Sequence, residues 1–256
     1  MKWPFRAVAL SAVGLLALAS PALPQTDGPT ITQAIVAQPL AGHVLDFEEG
    51  VRDHLSWAMD NGSDWTWRAW EFIAGERTGS YLFATGNHGW ADFDSPPVDP
   101  MANRGSVQER IAPHVDEVYV SWSRVLTDLS MTNPDEPVRP MVELITMQVD
   151  PQHQNTFEAV MADFKASLEA AAPESRFTVY QRAVGGNGSE YVLAVPRANW
   201  AAFDGVGATD GLRPPMEAMY GRAGTDRLQA MFGEAVLSTR SEVMVFRPDL
   251  SQIPPG

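Results

Sequence analysis

The 256-residue sequence contains no cysteine. Disulfides, thiolate catalysis, cysteine-ligated zinc, iron–sulfur clusters and a lipid-anchored cysteine are thereby excluded. Basic residues are scarce: 18 Lys and Arg stand against 32 Asp and Glu, for a net charge of −14. A nucleic-acid binder needs a basic face to meet phosphates, and docking on anionic lipid needs one too. Neither partner is expected. Long apolar runs are also missing. The stretch 7–18, broken only by Ser11, is about 12 residues, short of the roughly 20 that cross a bilayer. The histidines are His43, His54, His88, His114 and His153, with no His-x3-His pair among them. Asp92, Asp94 and Asp99 share one segment but lack the central glycine and final glutamate of a calcium loop. No Gly-x-Ser-x-Gly elbow, phosphate loop or dinucleotide fingerprint occurs. The expectation is therefore no metal and no cofactor.

What is present begins with an address. Lys2 and Arg6 precede the short apolar run, and Ala17-Leu18-Ala19 and Ser20-Pro21-Ala22 follow it as small-x-small patterns. This is the layout of a secretory signal peptide, over 1–22, cut after Ala19 or Ala22. The protein is expected to be exported, to the periplasm or the medium, with no membrane anchor. With 45% hydrophobic residues the remainder can bury a proper core.

Shifting the chain by 110 residues lays 47–94 on 157–204 without a gap. Phe47-Glu48 meets Phe157-Glu158, Asp53 meets Asp163, Gly75 meets Gly185, Tyr81 meets Tyr191, and Ala84 meets Ala194. Trp90-Ala91 and Phe93-Asp94 meet Trp200-Ala201 and Phe203-Asp204. These are ten identities in 48 positions, where roughly 3 arise by chance. A weaker echo sets Glu117–Val120 on Glu242–Val245, which places about 15 extra residues in the second copy. The pattern predicts two repeats, 31–130 and 141–251, joined by a proline-rich linker at 131–140.

Each repeat reads as β-α-β-β-α-β. In the second, 142–149 is an apolar strand, and Asp150-Pro151 opens a helix that carries Phe157, Met161, Phe164 and Leu168 at spacings of three and four. Phe177–Val184 and Tyr191–Val195 are strands about a glycine turn, a helix follows over 215–236, and Glu242–Phe246 closes the unit. The first repeat follows suit from Thr32 to Val125. The tail from Pro248 is expected to be loose. Such units are ferredoxin-like, with helices on one face of the sheet and the other face in need of cover. The predicted fold is α+β: two ferredoxin-like repeats packed sheet to sheet as an intrachain pseudo-dimer.

With the aromatic Trp-Ala-x-Phe-Asp motif in both copies, this pattern resembles the dimeric α/β-barrel superfamily, including NIPSNAP-like proteins and antibiotic-biosynthesis monooxygenases. Haem enzymes related to chlorite dismutase and dye-decolorising peroxidase belong to the same group. The resemblance implies a small-molecule-binding or non-catalytic barrel protein, or alternatively a cofactor-independent monooxygenase-like enzyme acting on a small organic substrate. It implies a monomer acting as a pseudo-dimer, or a homodimer. The tandem haem members place a histidine of the second copy on iron. The second copy here has only His153, just after a strand, and no histidine follows the Gly207–Gly211 string that matches the peroxidases.

Alternation in the second strand of each repeat puts Arg68, Trp70, Tyr180 and Arg182 on the less apolar face. Aromatic walls with a few donors are the makings of a ligand pocket, and these four are the candidate ligand-binding residues. The same set serves equally as a packed interface in which each arginine pairs with a buried acid. No catalytic residue can be named from the sequence.

Overall fold

The computed structural model describes residues 31–133, 135–204 and 213–253. The expected leader and the Gly207–Gly211 string lie outside them. The first half runs β1 (Ile31–Pro39), α1 (Val44–Asp60), β2 (Arg68–Ala74), β3 (Tyr81–His88), α2 (Pro100–Arg110) and β4 (Val115–Val125). The second runs β5 (Met141–Val149), α3 (Gln154–Ala171), β6 (Thr178–Val184), β7 (Glu190–Arg197), α4 (Arg213–Ala235) and β8 (Val236–Phe246). Both halves therefore have the order β-α-β-β-α-β, and the fold is α+β.

The strands close into one antiparallel barrel in the order β1-β3-β2-β8-β5-β7-β6-β4. Each half contributes four neighbours, β4-β1-β3-β2 and β8-β5-β7-β6. The two sheets face each other, as expected, and they also fuse along both edges. β2 pairs with β8, setting Trp70 opposite Phe246 and Phe72 opposite Met244. β4 pairs with β6, setting Ser123 opposite Arg182 and Val125 opposite Tyr180. Closure leaves no free sheet edge to recruit another chain.

Gly75 and Gly185, matched in the sequence repeat, each end the strand that forms a seam. Both have positive φ, 108° and 75°. A Cβ on Gly185 would lie 2.4 Å from the Val120 carbonyl oxygen, and one on Gly75 would lie 2.5 Å from Glu242 Cγ. Any larger residue there would collide with the other half's last strand.

The outer face of the barrel carries the helices. On α1, Phe47, Val51 and Leu55 recur at helical spacing and pack in one cluster with Ala37, Ala69 and Tyr81. On α3, Phe157, Val160, Met161, Phe164 and Leu168 do the same against Val149, Val179 and Tyr191. Each such side chain contributes roughly 1.5–3 kcal/mol. The matched residues form matched contacts. Tyr81 donates to Glu48 (2.8 Å), and Tyr191 donates to Glu158 (2.6 Å). Burial and the adjacent carboxylate push both phenols up, so both stay protonated donors. α2 covers α1, and His54 donates to or accepts from Ser106 at 2.9 Å across that contact. Burial lowers the His54 pKa and favours neutral imidazole.

Several expectations need correction. β8 starts at Val236, six residues ahead of the predicted strand, because its polar first half still pairs with β5 from Val149↔Val236 onward. α4 is broken at Gly221, which has φ 68° and ψ 170°. The Glu117/Glu242 echo is out of register: Ser121 and Glu242 are the residues that face the equivalent positions Ala34 and Leu144. The capping side chains around the two Trp-Ala-x-Phe-Asp motifs are Asp92 and Asp99 in the first half and Asn199 in the second.

From Pro248 to Ile253 the tail is not loose. Pro248–Leu250 forms a 3-10 turn, and Leu250 is fully buried in the first half's core. Gln252 pairs with Trp67 through the backbone and donates to Ser63. The first half's exit does the reverse. Thr127–Leu129 forms a 3-10 turn, Leu129 enters the second half's core, and Met131 pairs with Phe177. Ser130 and Ser251 accept from Val179 N–H and Ala69 N–H respectively, both at 2.9 Å. Hydrophobic Leu250 overrides the polar composition around it, which is why composition alone misread this segment.

Leu250→Ala should therefore cost about 2–5 kcal/mol, the range for emptying a buried leucine site. Urea denaturation of the variant beside wild type measures it. A change under about 0.5 kcal/mol would mean the tail is dispensable.

Candidate functional site

Alternation divides each strand between helix layer and barrel interior. Ala69 and Val179 face the helices, and Arg68, Trp70, Tyr180 and Arg182 face inward. The inward residues surround a cavity of about 610 Å³, within the range that holds a small organic molecule. Its middle is apolar, walled by Val36, Trp70, Leu82, Leu144, Val192 and Met244. The linker crosses one end, where Met131, Glu136 and Val138 join the lining beside Arg68. Arg182, Glu190, Tyr119 and Arg240 line the other end.

The structure thus brings all four sequence-derived candidates to one cavity, but it gives them different circumstances. Arg182 is committed. It binds Glu190 at 2.8 Å and donates to Ser121 (2.5 Å) and Ser123 (3.1 Å) across the β4/β6 seam. Only 13% of its side chain and 15% of that of Glu190 are exposed. Arg68 is exposed at the linker end and makes no ion pair or side-chain hydrogen bond among the described residues. Tyr180 is pushed up by burial, opposed by Thr178 and by the charge of Arg68, so it is a neutral phenol. Trp70 packs on Phe246, ring centroids 5.7 Å apart, and its indole N–H is buried without a partner among the described residues.

Several interior residues were not found from the sequence. At the β2/β8 seam, Glu242 is fully buried and gripped by Arg77 through Nε and Nη2 and by its backbone N–H. Arg240 lies 3.3 Å from the same carboxylate and also reaches Glu76. Glu190 could have been found: it precedes Tyr191, which faces the helices, so alternation turns it inward. Glu242 could have been found in the same way, because the four-residue register error of the echo is even and leaves side-chain facing unchanged.

The interior therefore offers donors with few free acceptors. Its carboxylates, Glu136, Glu190 and Glu242, are all engaged by arginine. The histidines lie elsewhere: His54 on α1 faces Ser106, and His88 bonds Thr85 at 2.7 Å in an outer aromatic cluster with Trp65 and Phe93. Among the described residues no unengaged carboxylate or histidine faces the cavity. For haem, the resemblance asks for a histidine on the late helix of the second half. α4 carries none, and His153 precedes α3 on the surface, 3.4 Å from Asp150. These residues do not fit a haem. The fold does assemble one histidine pair that spacing could not show. His43 and His114 lie side by side with Asp46, outside the barrel.

No protein-family model matches the sequence, and no curated protein matches it. Solved structures do share the fold. One described as a "putative monooxygenase" from Lactobacillus acidophilus NCFM is 10% identical, with a TM-score of 0.55 over 88% of this chain and 96% of that one. An anthrone oxidase-like protein is 13% identical, with a TM-score of 0.56 over 87% and 92%. A mutant chlorite dismutase from Candidatus Nitrospira defluvii, in complex with cyanide, is 10% identical, with a TM-score of 0.54 over 86% and 92%. At these identities the likeness shows the dimeric α/β-barrel fold alone.

The two inward arginines are expected to answer differently to removal. Arg182→Met strands Glu190 in the barrel wall and should cost about 3–5 kcal/mol. Arg68→Met removes no partner and should stay within about 0.5 kcal/mol of wild type. Chemical denaturation of both variants checks this, and equal losses would show Arg68 to be structural as well.

Proposed function

We propose that the barrel interior binds one small, largely apolar organic molecule that carries a carboxylate or similar oxygen anion. The observation that carries this reading is Arg68, a guanidinium unengaged among the described residues at the mouth of a cavity with apolar walls. A buried apolar wall supplies affinity without direction, and a cation that no carboxylate engages fixes which end of the guest goes where. Tyr180 adds a neutral hydroxyl to the lining of the same cavity.

The second reading is a cofactor-independent monooxygenase-like enzyme. It is favoured by the likeness to the Lactobacillus protein and to the anthrone oxidase-like protein. Such an enzyme must hold a substrate anion where molecular oxygen can reach it. Arg68 would stabilise that anion. Since every interior carboxylate among the described residues is engaged by arginine, the substrate would have to arrive already ionised or lose its proton to water. The binding reading needs no base and is preferred on that ground.

Three further parts of the proposal rest on the sequence. The protein is exported, and cleavage after Ala19 or Ala22 would yield the mature form. The halves descend from one duplicated unit, with the equivalent Glu48–Tyr81 and Glu158–Tyr191 pairs in support. A kinship to NIPSNAP-like proteins stands on the sequence pattern alone. Among the described residues no helix is long and apolar enough to cross a membrane.

The test uses 8-anilinonaphthalene-1-sulfonate, an apolar aromatic anion that fluoresces on leaving water. One equivalent should bind wild type, and Arg68→Met should weaken binding at least tenfold while melting as wild type does. Equal binding by the variant would refute the role of Arg68. Oxygen uptake with an ionised phenolic substrate would promote the second reading. For export, sequencing the N-terminus of protein from the culture fractions should begin at Ser20 or Leu23, and an intact Met1 would contradict it.

A further inference from the structure

The geometry points to a zinc-binding site on the outer surface of the first half, formed by His43, Asp46 and His114. The three come from separate places. His43 is the residue before α1, Asp46 lies in that helix's first turn, and His114 ends the 3-10 turn before β4. Leu40 N–H donates to the His114 carbonyl at 2.9 Å, and His43 N–H donates to the Leu40 carbonyl at 3.0 Å, so backbone bonds tie the two segments together.

The distances between donor atoms suit one metal. His43 Nδ1 lies 3.4 Å from Asp46 Oδ2 and 3.4 Å from His114 Nδ1. All three donor atoms fall within 4.8 Å of one another. Zinc bonds of about 2.0–2.1 Å at tetrahedral angles put ligand atoms about 3.3–3.4 Å apart. An octahedral ion with bonds of that length would want adjacent ligands at about 2.9–3.0 Å. Two imidazoles and a carboxylate also suit zinc better than calcium or magnesium, which favour all-oxygen shells. Three protein ligands leave the fourth position to water or a small exogenous ligand.

The other histidines do not compete. His54 and His88 are engaged with Ser106 and Thr85, and among the described residues His153 has Asp150 alone as an acidic neighbour. His153 is the counterpart of His43 at the start of the second half's first helix, so it provides an internal control. The partial positive charge at the start of α1 disfavours a cation. The negative charge of Asp46 is therefore needed as well as its ligand oxygen.

The experiment is isothermal titration of tag-free, EDTA-stripped full-length protein with Zn2+. Wild type should take up one zinc per chain. His43→Ala, His114→Ala and Asp46→Asn should each weaken binding at least tenfold, and His153→Ala should leave it unchanged. His43 and Asp46 are about half exposed, 47% and 57%, so these variants should fold, and matching circular dichroism verifies it. Loading with Co2+ should give the intense visible bands of a tetrahedral ion. Absence of zinc uptake by wild type would overturn the site. So would binding that survives loss of both His43 and His114, or a weak octahedral cobalt spectrum.

Discussion

Leu250 leaves the end of β8 and fills the space between α1 and the first half's strands. Leu129 leaves the end of β4 and does the same beneath α3. Because of this exchange, neither half possesses a complete core by itself. The two edge seams follow from it. The chain that delivers Leu250 runs alongside β2, and the chain that delivers Leu129 runs alongside β6. Arg247 strengthens the first crossing. It donates to Glu48 at 2.6 Å and to Glu71 at 2.8 Å, holding the end of the second half to the helix and strand of the first. Its hydrogen bond is the largest cause of the lowered Glu48 pKa, so this carboxylate stays ionised although nearly buried.

Closing the barrel creates an enclosed interior that hydrophobic burial alone has not filled. The seams carry their charges in pairs, Arg182 with Glu190 on one side and Arg77 with Glu242 on the other. Buried ion pairs of this kind give little net stability against an apolar replacement, yet losing one partner is costly. They fix the alignment of strands from different halves, where Ser121 and Ser123 also meet Arg182. Arg68 has no such duty, and that contrast separates the wall of the cavity from a feature available to a guest.

Much of the fold could be read from the sequence, because local patterns determine local structure. Helical spacing located Phe47 and Phe157, and glycine located the turns at Gly75 and Gly185. Alternation put Arg68, Trp70, Tyr180 and Arg182 on one face. What escaped the sequence depends on pairing between distant segments. The commitment of Arg182 is set by Ser121 and Glu190, and the burial of Leu250 by a helix some two hundred residues earlier. The assembly of His43 with His114 requires β1 and β4 to be neighbours. Spacing rules for motifs search along the chain, and these contacts are across it.

The barrel has the same backbone plan twice, but its lining does not repeat. Thr178 stands where the plan would repeat Arg68, Tyr180 answers Trp70, and Arg182 answers Phe72. A barrel built from two identical chains must present every inward residue twice, about a twofold axis. A guest in such a barrel can sit equally well either way round. Carrying both halves in one chain removes that degeneracy. With Arg68 at the end crossed by the linker and the Arg182–Glu190 pair at the other, the two ends of this interior differ, and an unsymmetrical guest would meet different chemistry at each.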